Sequence, residues 1–266
     1  MDIYWLEQSD SDVPLGDQWL SGSERARLDR LPIPKRRADW RLGRWTAKCA
    51  VSGYLNLPRD PEALTGVEVR PAPSGAPEVF LHGRAAPVVL SLSHSRGTGF
   101  CAIAARGAQM GCDLETVEPR SPAFLADYFT DEEQRLVAQT PPARQDQVLT
   151  LLWSAKESVL KALGCGLRLD TRSVNAAPAG LLQTCGEEWR RVSAAHISGG
   201  TFYGWWRESR DLVWTVVAGC DSGNAPLKPT LLDTRSSGHK NREGTAVPRG
   251  TSCGNRAVEA RHVAGL

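Results

Sequence analysis

Between Pro87 and Val117 three short apolar runs follow one another, and their length leaves little room for anything but strands. Pro87-Val88-Val89-Leu90-Ser91-Leu92-Ser93 reads as a buried strand running into His94. Gly99-Phe100-Cys101-Ala102-Ile103-Ala104 is apolar and short enough to be the next, and Gln109 to Val117 continues as a third. A long helix is expected on each side. Over residues 35–55, Trp40, Ala47, Cys49-Ala50-Val51 and Tyr54-Leu55 recur at helical spacing; residues 143–163 carry a second helical stretch. Ile3-Tyr4-Trp5-Leu6 looks like an opening strand, and Ser21 or Ser23 followed by Glu24 like a helix start. Val67-Glu68-Val69 alternates as a strand, with Pro71, Pro73 and Gly75 in the loop after it. Residues 121–139 read as helical, and residues 201–206 and 212–217 as strands. The helix-then-strands order occurs in each half. The expectation is an α+β chain of two similar lobes, 1–108 and 109–220, joined near residues 105–112.

The segment 221–266 departs from this pattern. It has no aromatic residue, only seven Leu, Ile, Val or Phe, and abundant Ser, Gly, Thr and Arg. So little apolar surface does not offset the entropy of ordering, so it reads as a disordered tail. With seven Lys/Arg against four Asp/Glu it holds a net +3 of the chain's +2, which leaves residues 1–220 near −1. A basic tail touching acidic partners is the alternative, but the body of the chain has no charge excess that points to nucleic acid. No apolar run is long enough to span a membrane, and Met1-Asp2-Ile3-Tyr4-Trp5 lacks the basic-then-apolar order of a secretion signal. The seven cysteines are scattered singly, without zinc spacing, as expected of core residues in a reducing cytoplasm.

Chemistry is concentrated in two places. In Gly111-Cys112-Asp113-Leu114-Glu115 the two acids stand two residues apart on an expected strand, and so share a face, with Cys112 and Leu114 on the other. Paired carboxylates repel unless a cation sits between them, and hard cations take oxygen ligands; an ordinary solvated edge is the plainer explanation. Some forty residues on, Trp153-Ser154-Ala155-Lys156-Glu157-Ser158-Val159-Leu160-Lys161 places Glu157 and Lys161 one helical turn apart, bordering an apolar stripe. A solvated Glu–Lys pair accounts for that too, but acids and lysines together can hold a divalent cation beside a polyphosphate. Ser91-Leu92-Ser93-His94-Ser95, leaving a sheet edge, offers hydrogen-bond donors, and no Gly-x-Ser-x-Gly elbow accompanies it. Arg36, Arg37, Arg41, Arg44 and Lys48 give the 35–55 helix a basic face.

The order of these signals is more specific than any one of them. Basic helix, Arg70 with Gly75-Ala76-Pro77, Ser-His-Ser, Gly-x-Asp-x-Glu, Phe129 with Glu133, Trp-x-x-Lys-Glu-x-x-x-Lys and Gly164-Cys165-Gly166-Leu167 follow in turn. In this the chain resembles the Sfp-type 4'-phosphopantetheinyl transferases, clearly over residues 20–175. The resemblance implies two α+β lobes related by a pseudo-twofold axis, with coenzyme A in the cleft between them. It implies transfer of the phosphopantetheine arm to a serine of an apo-acyl- or peptidyl-carrier protein, with release of 3',5'-ADP. It further implies Asp113, Glu115 and Glu157 as ligands of Mg²⁺, with Mn²⁺ as an alternative. Arg36, Arg44, Arg70, Ser93, His94, Asp113, Lys156 and Lys161 would hold the coenzyme, with Lys156 and Lys161 facing the pyrophosphate. Glu157 would be the base, with Lys161 in the catalytic set beside it, and carrier docking would fall around residues 120–150. An intrachain pair of lobes implies a monomer, in the cytoplasm that the scattered cysteines suggest. One departure is Ala76, where the family commonly has a lysine; Arg70 or Lys48 is the expected compensation. A coenzyme-binding module without transferase activity, or a carrier-docking protein without chemistry, are the rival readings.

Overall fold

The computed structural model describes residues 1–181, 188–219 and 226–232. In chain order the elements are β1 (Tyr4–Ser9), α1 (Gly22–Asp29), α2 (Pro34–Leu55), α3 (Pro61–Thr65), β2 (Val67–Pro71), β3 (Pro77–Leu81), β4 (Arg84–Ala85), β5 (Val88–Ser95), β6 (Thr98–Ala105) and β7 (Met110–Thr116). There follow α4 (Pro122–Tyr128), α5 (Asp131–Gln139), α6 (Pro142–Ala162), β8 (Val174–Pro178), β9 (Arg190–His196), β10 (Thr201–Ser209), β11 (Leu212–Gly219) and β12 (Thr230–Leu231). The chain is α+β. One sheet runs β12-β1-β6-β5, a second β7-β11-β10-β9-β8, and β2-β3-β4 form a small third. The described residues, all within Met1–Thr234, gather into one compact unit.

Three large apolar cores, and a smaller one of Trp19, Leu20, Leu28 and Leu64, hold this unit together. The buried face of α2 packs on β1, β5 and β6 through Ala47, Ala50, Val51, Leu90 and Ile103. The buried face of α6 packs on β7 to β11 through Leu152, Val159, Trp206, Val213 and Val217. A third core, with Trp5, Phe100, Cys112, Leu114 and Trp214, joins the first sheet to the second. As expected from the alternation, Cys112 and Leu114 enter that core while Asp113 and Glu115 take the opposite face, towards α6. Gly111 shares their face. A Cβ there would lie 1.9 Å from the Ser158 carbonyl oxygen, so only glycine lets α6 lie this close to β7.

The two long helices are anchored in the same way. Lys48 of α2 and Lys156 of α6 are fully buried. Lys48 Nζ lies 2.6 Å from Glu24 Oε2 and donates to the carbonyls of Trp19 and Leu64. Lys156 Nζ lies 2.7 Å from Glu133 Oε2 and donates to the carbonyls of Thr171 and Val174. Each ammonium thereby spends its three donors. Each glutamate also belongs to a capping box, with Ser21 at the start of α1 and with Thr130 at the start of α5. Its other oxygen accepts from a strand amide, Val69 N for Glu24 and Ala176 N for Glu133.

Two expectations are corrected. Residues 121–139 are not one helix: Phe129 is buried and extended, and Thr130 starts a new helix through its capping box with Glu133. The tail is ordered at residues 226–232. There β12 pairs in parallel with β1, the amides of Thr230 and Leu232 donate to the carbonyls of Ile3 and Trp5, and Leu232 is buried in the α2 core. One buried leucine and an open edge on β1 supply what the composition of the segment lacks. The expected disorder of residues 221–225 and 233–266 lies outside the described residues.

Replacing Lys156 with Met leaves the Glu133 carboxylate buried without its ammonium, and is expected to cost about 3–5 kcal/mol of stability in urea unfolding. Adding Glu133→Gln should recover much of that loss. A single substitution costing under about 1 kcal/mol would mean that the ion pair is not an anchor.

Candidate active site

The acids of the Gly-x-Asp-x-Glu strand meet the charged helix as the pattern anticipates. Lys161 Nζ of α6 donates to Asp113 Oδ1 at 2.7 Å and lies 4.0 Å from Glu157 Oε2. Trp153 Nε1, two turns earlier on α6, donates to Glu115 Oε1 at 3.2 Å. Arg120 approaches the other Glu115 oxygen at 3.8 Å. From β5, Ser93 Oγ donates to Asp113 Oδ1 at 2.8 Å. Asp113 is 1% exposed, and its second oxygen, Oδ2, has no hydrogen-bond partner.

Negative charge is in excess here. Burial, then Asp113 and Glu157, push the Glu115 carboxyl up to about 7 against the pull of Arg120. Burial, then Asp113, do the same to Glu157, against Lys161. Burial alone would lower Lys161, but Asp113, Cys112 and Glu157 outweigh it and hold the ammonium above its ordinary value. Among the described residues no group of three or more His, Cys, Asp or Glu is arranged to hold a metal ion as it stands. The donor set nevertheless suits a hard cation: an unpartnered buried carboxylate oxygen and two acids lifted by burial and by the charge of Asp113.

Beside the acids opens a cleft of about 450 Å³ lined by Arg44, Gly75, Ala76, Ser91, Met110, Lys161 and Gly164 among others. The sequence-expected residues divide around it. Arg44 and Lys161 line it; Arg44 stacks on Trp40 at 4.9 Å and its Nε is buried without a partner. Arg44 is the one arginine of the α2 basic face on the cleft wall. Arg37 donates to the Leu28 carbonyl, Arg41 pairs with Asp17, and Arg36 is exposed. Arg70 pairs with Glu68 and lies over Phe80, and His94 is exposed at the end of β5; neither lines the cleft. Lys156 does not face a pyrophosphate: its three donors are spent in the core of the second half, one residue and a third of a helical turn away from Glu157. Lys48, buried with Glu24, does not compensate for Ala76 either. The cation nearest that loop is Arg168, which donates to the Ser74 carbonyl. Sequence reasoning passed over Arg168 and the Trp153–Glu115 bond. A tryptophan opening an apolar stripe gives no sign of a polar role until its ring nitrogen finds an acceptor.

Asp113, Glu115, Glu157 and Lys161 all fall within residues 109–217, which match the family model of the 4'-phosphopantetheinyl transferase superfamily. The match runs from the start of β7 into β11, and so takes in the strand and the helix that carry these four side chains. The chain is 27% identical over 164 residues, 61% of its own length, to 4'-phosphopantetheinyl transferase HetI of Nostoc sp. strain PCC 7120, covering 67% of that protein. It is 26% identical over 227 residues to a putative 4'-phosphopantetheinyl transferase, slr0495, of Synechocystis sp. strain PCC 6803, covering 81% of this chain and 86% of that protein.

The raised carboxyls fix a pH dependence. Native Glu115 and Glu157 keep protons up to about 7 that the unfolded chain releases near 4.5. Stability therefore falls as pH rises across that window and levels off above it. In chelator, the melting temperature is expected to be higher at pH 5 than at pH 8, and Glu157→Gln should flatten the slope. A melting temperature that rises steadily from pH 5 to pH 8 would contradict the charge excess.

Proposed function

We propose that the protein is a Mg²⁺-dependent 4'-phosphopantetheinyl transferase, moving the phosphopantetheine arm of coenzyme A onto a serine of an apo-acyl- or peptidyl-carrier protein and releasing 3',5'-ADP. The observation that carries this is Asp113: buried, with one oxygen held and the other without a hydrogen-bond partner, beside a lysine that also lines the cleft. Asp113, Glu115 and Glu157 would hold the Mg²⁺, which when bound offsets the charge of the diphosphate. Lys161 and Arg44 place fixed positive charge on the cleft wall for the diphosphate and the nucleotide end. Glu157 would also be the base that takes the proton of the carrier serine. Carrier docking is assigned to residues 120–150, where Phe124 and Tyr128 stack around Trp153 next to Glu115.

The division into lobes 1–108 and 109–220 belongs to the same proposal. Its support is the repeated anchor: a capping-box glutamate bound to a buried lysine of the long helix, once in each half. Such a pair of lobes in one chain suits a monomer. A cytoplasmic location agrees with the free thiols of Cys49, Cys101, Cys112 and Cys165, and no helix among the described residues is long and apolar enough to cross a membrane.

Incubation with coenzyme A, Mg²⁺ and a panel of apo-carrier proteins should add one phosphopantetheine to a carrier by intact mass. Asp113→Ala and Glu157→Gln should abolish the addition while leaving the circular dichroism spectrum unchanged. Full labelling by both variants would sink the site assignment. Coenzyme A binding by calorimetry with no carrier modified would favour a binding module.

A further inference from the structure

Strands β5 and β7 belong to different sheets, yet they lie side by side, joined by side chains where a backbone ladder would otherwise run. Alternate residues of β5 are serines, and each meets β7. The Cys112 amide donates to Ser91 Oγ at 3.0 Å, Ser93 Oγ donates to Asp113 Oδ1 at 2.8 Å, and Ser95 Oγ shares a hydrogen bond with Thr116 Oγ1 at 2.8 Å. The outer two rungs hold the strands in register. The middle rung falls on the acid at the centre of the site.

We propose that Ser93 is a positioning residue that aims Asp113. The torsion that turns a carboxylate about its own axis is soft, so one hydrogen bond does not fix which oxygen faces where. Asp113 Oδ1 is held from two sides, by Ser93 Oγ of β5 and by Lys161 Nζ of α6, and this leaves buried Oδ2 as the oxygen offered to a cation. Lys161 alone is a poorer clamp, because Glu157 also draws its ammonium. The resemblance to known transferases implies instead that Ser93 contacts a coenzyme phosphate. Its geometry argues against that role. A serine has one proton to donate, and this one is given to Asp113; what remains are lone pairs, which a phosphate oxygen does not accept.

This inference rests on the metal reading above, and a direct metal-binding measurement separates the two. Mn²⁺ binding is read from the loss of the free-ion paramagnetic resonance signal, on the full chain without coenzyme. Ser93→Ala is expected to weaken Mn²⁺ binding about tenfold or more, with Ser93→Thr, which keeps the hydroxyl, recovering most of it, while at saturating Mn²⁺ the KM for coenzyme A moves by less than about twofold. Unchanged Mn²⁺ affinity in Ser93→Ala overturns the proposal and leaves the metal reading standing. So does a large rise in KM for coenzyme A at constant Mn²⁺ affinity, which returns Ser93 to the phosphate. No Mn²⁺ binding by the unsubstituted chain overturns both, whereas carrier labelling tests the transferase reading on its own.

Discussion

Each long helix of this protein is held, in its second half, by a lysine buried from water. Burial of an ammonium is costly unless its donors are all used and an opposite charge lies against it. Lys48 and Lys156 each meet that demand with one glutamate and two carbonyls. The glutamate in turn caps a short helix and binds a strand amide, so a single charge pair ties together helix, cap and sheet. The consequence for the site is geometric. With Lys156 pinned inward, the helical turn delivers Glu157 to the rim and Lys161 onto Asp113.

The site itself sits where two sheets meet without sharing a backbone ladder. Gly111 permits close approach of α6 from one side, and the serines of β5 lock β7 from the other. Asp113 is therefore clamped between elements far apart in sequence. This is the kind of support that holds a reacting group to small tolerances.

Electrostatics completes the picture. At the β7–α6 junction three acids meet Lys161 and Arg120, and burial together with the charge of Asp113 raises the carboxyls of Glu115 and Glu157 against their pull. The adjoining cleft carries the opposite bias, from Arg44 and Lys161. A cation at the junction and a diphosphate in the cleft would each relieve the charge its neighbour leaves uncompensated.

The sequence by itself determined the elements and the chemistry. Period-two alternation put Asp113 and Glu115 on one face, and helical spacing put Glu157 beside Lys161, because both relations are local. Tertiary structure decided what each charge faces. Lys156 and Lys161 are alike in the motif, yet one is spent in the core and the other on the site, since that depends on Glu133 and Thr171 and not on their neighbours in sequence. The same holds for Ser93, whose single proton goes to a residue twenty positions away. It holds too for residues 226–232, which form a strand only because β1 presents an open edge and a pocket for Leu232. A composition can report how much apolar surface a segment has, but not what that surface will find.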